Sequence, residues 1–296
     1  MNQFQNHPLA GAVDLDSAMT KLWSFYKKYF IGLYLISVVL ALISSLITSG
    51  LDLSAMQATT DPSELLEMMK GMAGPYALMM LVSLVFGVLL HAWVLEKPMG
   101  GPDFLPSFLK KSLVALIPYM VVMIVFSIIA VVLTTVGLIL LVLPAFFAIF
   151  YIATVMIFAL PLTLVESGNP VTVVTRSFRL AHSHLWPNMG WVVVILLIIV
   201  VASLVIGAIT MLPFTGSFIR SMTNPEEASA MLEMSRNPIY IGLSSLMTSL
   251  VTPVLPILAF ILYFRNRGDE VIAEMTTEGE PAVTVEDLYP RMPDRE

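Results

Sequence analysis

A chain of 296 residues in which 57% are hydrophobic and 12% charged, with a mean hydropathy of +0.87, lies outside globular composition, where about a quarter of residues are charged. Water is therefore excluded as its main solvent, and the absence of cysteine excludes disulfides and thiol chemistry. The net charge of -6 marks neither a cationic partner nor a nucleic-acid binder, because nine of the 21 acidic residues follow Gly268.

In chain order, residues 1–28 form an arm ending in an amphipathic stretch. The first 20 residues are polar, with Pro8, Asp14 and Asp16 and no short apolar run of the signal-peptide kind, so the first span is expected to direct insertion. Six apolar stretches then follow, each at least the ~20 residues needed to cross ~30 Å of hydrocarbon. They lie at about Tyr29 to Ser49, Pro75 to Leu95, Leu113 to Thr135, Leu138 to Leu164, Met189 to Leu212 and Ile239 to Phe264. Residues 29–264 are thus the membrane domain. Between spans one and two, Asp61, Pro62, Ser63 and Glu64 precede Leu65, Leu66, Met68 and Met69, the pattern of a capped short helix on the outer surface. Asn224, Pro225, Glu226 and Glu227 precede Met231, Leu232 and Met234 in the same way; lids and spacers both fit. Thr134 to Gly137 reads as an uncharged turn joining spans three and four in a tight hairpin. Residues 265–296 turn polar and acidic, with Pro281, Pro290 and Pro293, and are expected to be a flexible cytoplasmic tail.

Lys and Arg assign the sides. Lys21, Lys27, Lys28, Lys97, Lys110, Lys111, Arg176, Arg179, Arg265, Arg267, Arg291 and Arg295 fall on one, and Lys70, Arg220 and Arg236 on the other. This bias predicts both termini in the cytoplasm. A weak repeat accompanies it: Ser17 to Lys28, Phe104 to Lys111 and Thr175 to Trp186 each combine aromatic or leucine positions at helical spacing with basic residues, and each precedes two spans. The expected fold is an all-α integral membrane bundle of six transmembrane helices, built from three tandem units of interfacial amphipathic helix plus transmembrane hairpin.

Leu160 to Glu166, then Arg176, Ser177, Phe178, Arg179 and Leu180, then Trp186, form one recognisable pattern, and Pro256 to Leu262, Tyr263, Phe264, Arg265, Asn266 and Arg267 form a second. Both resemble the glycerophosphoryl diester phosphodiesterase membrane-domain family, across the whole six-span layout. The resemblance implies a stand-alone bacterial membrane protein. It carries no hydrolase activity here, because the sequence holds no phosphodiesterase barrel.

Ionisable groups inside a bilayer are costly and tend to mark pathways, and these spans hold almost none. His91 is the exception; Ser83, Gly87 and His91 share a helix face, which fits a proton-sensing site or a packed histidine. Glu166, at the end of span four, and Arg176 form a candidate structural ion pair. Lys110, Lys111, Arg176 and Arg179 are candidate contacts for lipid headgroups, since guanidinium forks and amines bind phosphate. His182 and His184 point to different faces without Cys or carboxylates beside them, so no metal site is expected. No nucleophile elbow, zincin motif or phosphate loop occurs, so no catalytic residue and no cofactor is expected. Ser37, Ala41, Ser45 and Ser49, Ser203 and Gly207, and Gly242, Ser245 and Ser249 form small-residue stripes expected to pack helix on helix. Pro118, Pro144, Pro161, Pro253 and Pro256 are expected to kink spans three, four and six.

The reading that follows is a non-enzymatic protein of the bacterial cytoplasmic membrane that interacts with lipids, anionic phospholipid in particular, or assists another membrane protein. The alternative is an uncoupled carrier of an apolar or amphipathic solute, with a cavity near His91 lined by the kinked spans.

Overall fold

A computed structural model describes residues 6–12, 14–50, 62–100, 104–166, 168–216 and 237–279. The regular structure of the described residues is all helical, with no strand among them. The helices are α1 (Leu15–Lys28), α2 (Phe30–Ser49), α3 (Pro62–Glu96), α4 (Phe104–Leu140), α5 (Val142–Met156), α6 (Ala159–Val165), α7 (Pro170–Ser183), α8 (Leu185–Met211), α9 (Pro238–Thr248) and α10 (Val254–Gly279).

Capping sets where the two short amphipathic helices begin. Asp14 accepts from the Ser17 amide at 2.9 Å while Ser17 Oγ accepts from the Asp14 amide at 3.2 Å, a reciprocal capping box that starts α1. Asn169 accepts from the Val171 amide at 3.0 Å, and Pro170 opens α7 where its missing N–H costs nothing. Each helix then stops at one non-helical residue, Tyr29 or His184, before a long apolar helix begins.

Five apolar segments are long enough to cross a membrane: Phe30–Ser49, Leu66–Glu96, Phe104–Leu140, Val142–Val165 and Leu185–Phe214. In Phe30–Ser49, Phe104–Leu140 and Leu185–Phe214 only 11% of the most apolar window is buried by protein, so these helices present hydrocarbon-like surface over most of their circumference. Such apolar helix faces in water would drive aggregation; in lipid they are at rest.

The sixth expected span, Ile239 to Phe264, is two helices. A turn over residues 249–253 separates α9 from α10. Pro253 explains it, since its ring removes an amide and crowds the carbonyl one turn back, and it disfavours helix at Thr252. Pro256 lies in the first turn of α10, where a missing amide is tolerated.

Three further expectations need correction. The stretch Phe104–Lys111 is not a separate interfacial helix: nothing between Lys111 and Leu113 stops a helix, and the segment runs on into span three. Likewise Pro62 onward is one helix with span two, because Pro75 follows Gly74, the residue least opposed to the backbone restriction that proline imposes on its predecessor. The hairpin between spans three and four turns at Leu141, not over Thr134 to Gly137. Gly137 is inside α4 as a contact point; a Cβ there would lie 2.7 Å from Ala145 Cα, so its absence lets α5 pack closely. The boundary at 265 also shifts, since α10 continues to Gly279. The outer helix expected after Asn224 and the tail beyond residue 279 lie outside the described residues.

The buried core is concentrated at one end of the bundle. Val88 to Leu95 of α3, Val155 to Leu164 and Ile257 to Tyr263 supply most of it, joined by Leu22 and Phe25 of α1 and Leu180 of α7. Residues 6–12 fold over this end: Leu9 is fully buried, and His7 Nε2 lies 3.2 Å from the Val94 carbonyl with its ring 4.9 Å from that of Phe264. Toward the other end, α9 sits between α2 and α8, and the serine stripes of spans one and six meet where Ser45 Oγ lies 3.2 Å from Ser245 Oγ.

Candidate functional site

The packed end is also the charged end. Here α6, α7 and α10 converge on a network that begins with Glu166 at the close of α6. Arg176 Nε lies 3.0 Å from Glu166 Oε2, and its Nη2 donates to Glu270 Oε2 at 3.0 Å. Arg179 Nε donates to Glu270 Oε1 at 2.8 Å, and Arg267 Nη1 to Glu270 Oε2 at 2.7 Å. Arg267 Nε also approaches Glu166 Oε1 at 3.5 Å, and the Tyr263 hydroxyl donates to the same oxygen at 2.8 Å. Three guanidinium groups thus share two carboxylates. Burial would raise the Glu270 carboxyl, but hydrogen bonds from Arg179 and Arg267 and the charge of Arg176 outweigh it and hold it below its ordinary range.

Behind the charges lies a fully buried amide pair. Asn266 Nδ2 donates to Asn188 Oδ1 at 3.1 Å and Asn188 Nδ2 to Asn266 Oδ1 at 3.2 Å. Asn188 Nδ2 also reaches the Leu180 and Ala181 carbonyls, Asn266 Nδ2 reaches the Leu262 carbonyl, and Ser183 Oγ donates to Asn266 Oδ1. Such a satisfied network locks α7, α8 and α10 in one arrangement.

The remaining bases divide by partner. Lys111 pairs with Glu96, which also accepts from Ser107 Oγ at 2.8 Å and so fastens the end of α3 to the start of α4. Lys27, Lys28, Lys97 and Arg265 instead lie over aromatic rings. Lys27 Nζ is 5.6 Å from the Trp23 centroid, Lys28 Nζ is 5.3 Å from Tyr29, and Lys97 Nζ is 4.6 Å from Phe104. The Arg265 guanidinium carbon lies 4.4 Å from the Trp191 centroid. Lys110 is exposed. Trp23 and Trp186 are also exposed, at 57% and 68%, as aromatic side chains at a membrane interface would be.

Of the headgroup contacts expected from sequence, Lys111, Arg176 and Arg179 are therefore engaged with carboxylates, and Lys110 faces outward. Glu166 and Arg176 are brought together. His91 stands apart from all of them, its Nδ1 at 2.8 Å from the Gly87 carbonyl of its own helix and its ring 6.0 Å from that of Phe260. His182 and His184 diverge, one 3.4 Å from the Tyr151 hydroxyl and the other 3.3 Å from Asp269. No group of three or more His, Asp or Glu suited to a metal occurs among the described residues.

The sequence reading missed Glu270 and the part played by Tyr263 and Arg267, because residues after Phe264 were assigned to a tail and Tyr263 to the end of a span. Their spacing carries the signal: 263, 266, 267 and 270 fall on one helical face.

Apolar helices open to lipid, closed at one end by a charged and aromatic rim, define an all-helical integral membrane protein. Comparison of the chain with protein-family models, with curated proteins and with solved structures finds no match.

Proposed function

We propose that this is a non-enzymatic, six-span protein of the bacterial cytoplasmic membrane that binds and organises anionic phospholipid around its cytoplasmic rim. One observation carries the reading. Four bases of this rim that carboxylates do not occupy, Lys27, Lys28, Lys97 and Arg265, lie over aromatic rings, as groups do that meet headgroup phosphate beside the acyl boundary. Lys110 joins them as an exposed base. The rim is cytoplasmic by the charge bias of the chain, since among the described Lys and Arg only Lys70 lies at the other end.

The sixth span is α9 and α10 taken together, broken at Pro253. The tandem organisation rests on burial register. Ala18, Leu22 and Phe25 are buried in the first amphipathic stretch, Phe108, Ser112 and Ala115 in the second, and Val173, Ser177 and Leu180 in the third. Each set follows the same offsets of four and seven residues, and each is followed by a long apolar helix. The family resemblance in α6, α7 and α10 belongs to this proposal.

The test is native mass spectrometry of the protein purified with its lipid. Phosphatidylglycerol or cardiolipin retained by the wild type should be lost when Lys27, Lys28, Lys97 and Arg265 are all replaced by Gln, and kept in Arg179→Gln. Equal anionic-lipid retention in all three proteins would overturn the reading, and would direct attention to a protein partner sought by crosslinking in cells.

A further inference from the structure

The end of the bundle away from the charged rim holds a feature of different chemistry. A crevice between α8 and α9 is lined by Ser203, Gly207 and Thr210 on one side and Tyr240, Ser244 and Thr248 on the other. Thr210 folds its hydroxyl back onto the Ile206 carbonyl at 2.9 Å, as Thr154 does to Phe150 and Thr163 to Ala159. The hydroxyls of Ser203, Tyr240, Ser244 and Thr248 make no hydrogen bond to any described residue. As parts of the proposed fifth and sixth spans these hydroxyls face hydrocarbon, where no water is available to satisfy them, so four donors on one opening call for a ligand that accepts; the inference rests on that six-span reading.

The opening is real space. A Cβ built on Gly207, on the crevice wall, would meet nothing within 4 Å. Ser203 and Thr248 are exposed, so the crevice is entered sideways from lipid. The Tyr240 ring packs edge-on against Phe214, centroids 5.7 Å apart at 79°, which fixes the direction of its hydroxyl. From Tyr240 to Thr248 the wall runs eight residues, about 12 Å at 1.5 Å per residue, and the turn at 249–253 follows directly after it. None of the lining side chains is charged. A phosphate placed here would stay uncompensated, whereas ester carbonyls and alcohols match the donors present.

We propose that this crevice binds an uncharged lipid bearing hydroxyl or ester groups, held by Ser203, Tyr240, Ser244 and Thr248. The site is separate from the anionic rim in position and chemistry.

Full-length protein in nanodiscs would be incubated separately with diacylglycerol, with a long-chain isoprenoid alcohol and with phosphatidylglycerol, then analysed by native mass spectrometry. Two variants remove the site in different ways: the triple change Ser203→Ala, Ser244→Ala, Thr248→Val deletes donors, and Gly207→Leu fills the space. The wild type should take up one of the two neutral lipids, and which one identifies the source of the hydroxyl or ester. Each variant should bind it about tenfold more weakly, with phosphatidylglycerol retention unchanged. Neutral-lipid uptake that is absent from the wild type, or equal in the wild type and the triple variant, would overturn the site. Phosphatidylglycerol displaced by Gly207→Leu would overturn the assignment to uncharged lipid. Should Gly207→Leu fail to fold, the triple variant decides, because its replacements leave the helices' packing volume nearly unchanged.

Discussion

Asn188 and Asn266 show how single side chains hold the charged end. Their amides exchange two hydrogen bonds and complete the rest with backbone carbonyls of α7 and α10, so removing either leaves its partner buried with a bond unmet. Asn266→Ala should destabilise the protein by about 1–3 kcal/mol, read as a lowered thermal midpoint in detergent, while Ser24→Ala, at an exposed position of α1, should change it little. His7 adds a pH dependence. Burial pushes its pKa down to about 4, opposed by the Val94 carbonyl, against 6.5 in the unfolded chain. Below 6.5 the unfolded chain takes up a proton that the folded chain refuses, so stability falls by about 1.4 kcal/mol per pH unit on acidification, until the folded histidine titrates near 4. Replacing His7 with Gln should flatten that slope in denaturation series between pH 7 and 4. Glu270 acts in a lower window: its depressed carboxyl contributes stability above the ordinary carboxylate pKa, and that contribution is lost only as pH falls through its folded value. In the sequence, Glu166 was legible because it closes an apolar span, and Arg176 because it follows ten residues later on an amphipathic basic stretch. Asn188 and Asn266 were not, because nothing local distinguishes a buried amide from a solvated one.

At the scale of elements, apolar length located α2 and α8 well, since composition acts locally, whereas α7 begins at Pro170, ahead of the expected Thr175, because its Asn169 cap and Pro170 were not read as a start. The misplaced boundaries have a common cause. A glycine or a proline is a turn signal only when its neighbours do not need it for something else. Gly137 serves close approach to Ala145, and Pro75 is absorbed by Gly74, whereas Pro253 breaks its helix. Gly137→Val should push α5 away and cost about 1–3 kcal/mol, measured by the same melting assay. Gly190→Ala, where a Cβ meets nothing within 4 Å, serves as the neutral control.

For the whole molecule, the absence of cysteine makes every position available for single-thiol labelling. Lys110→Cys should react with a membrane-impermeant maleimide only when the cytoplasmic face is opened, and Lys70→Cys should react in intact spheroplasts. The reverse pattern would invert the topology. Deep burial at the charged rim and sparse burial elsewhere also implies graded stability, with amides of α10 near Leu262 exchanging more slowly than those of α9.

The long hairpin of α4 and α5 has a mechanical consequence for the bilayer itself. From Lys111 to Leu141 the helix rises about 45 Å at 1.5 Å per residue, against a hydrocarbon core of about 30 Å. Its tip, Leu138 to Leu143, is apolar and exposed throughout. Standing upright, the hairpin would drive six greasy side chains through the headgroups into water. Tilt alone would need about 48°, beyond the roughly 40° upper end seen for transmembrane helices, so a mismatch of this size calls for lean together with thickening of the lipid around the tip. A helix pair anchored at one leaflet and over-long for the other acts as a gauge of membrane thickness, its lean set by the lipid in which it stands.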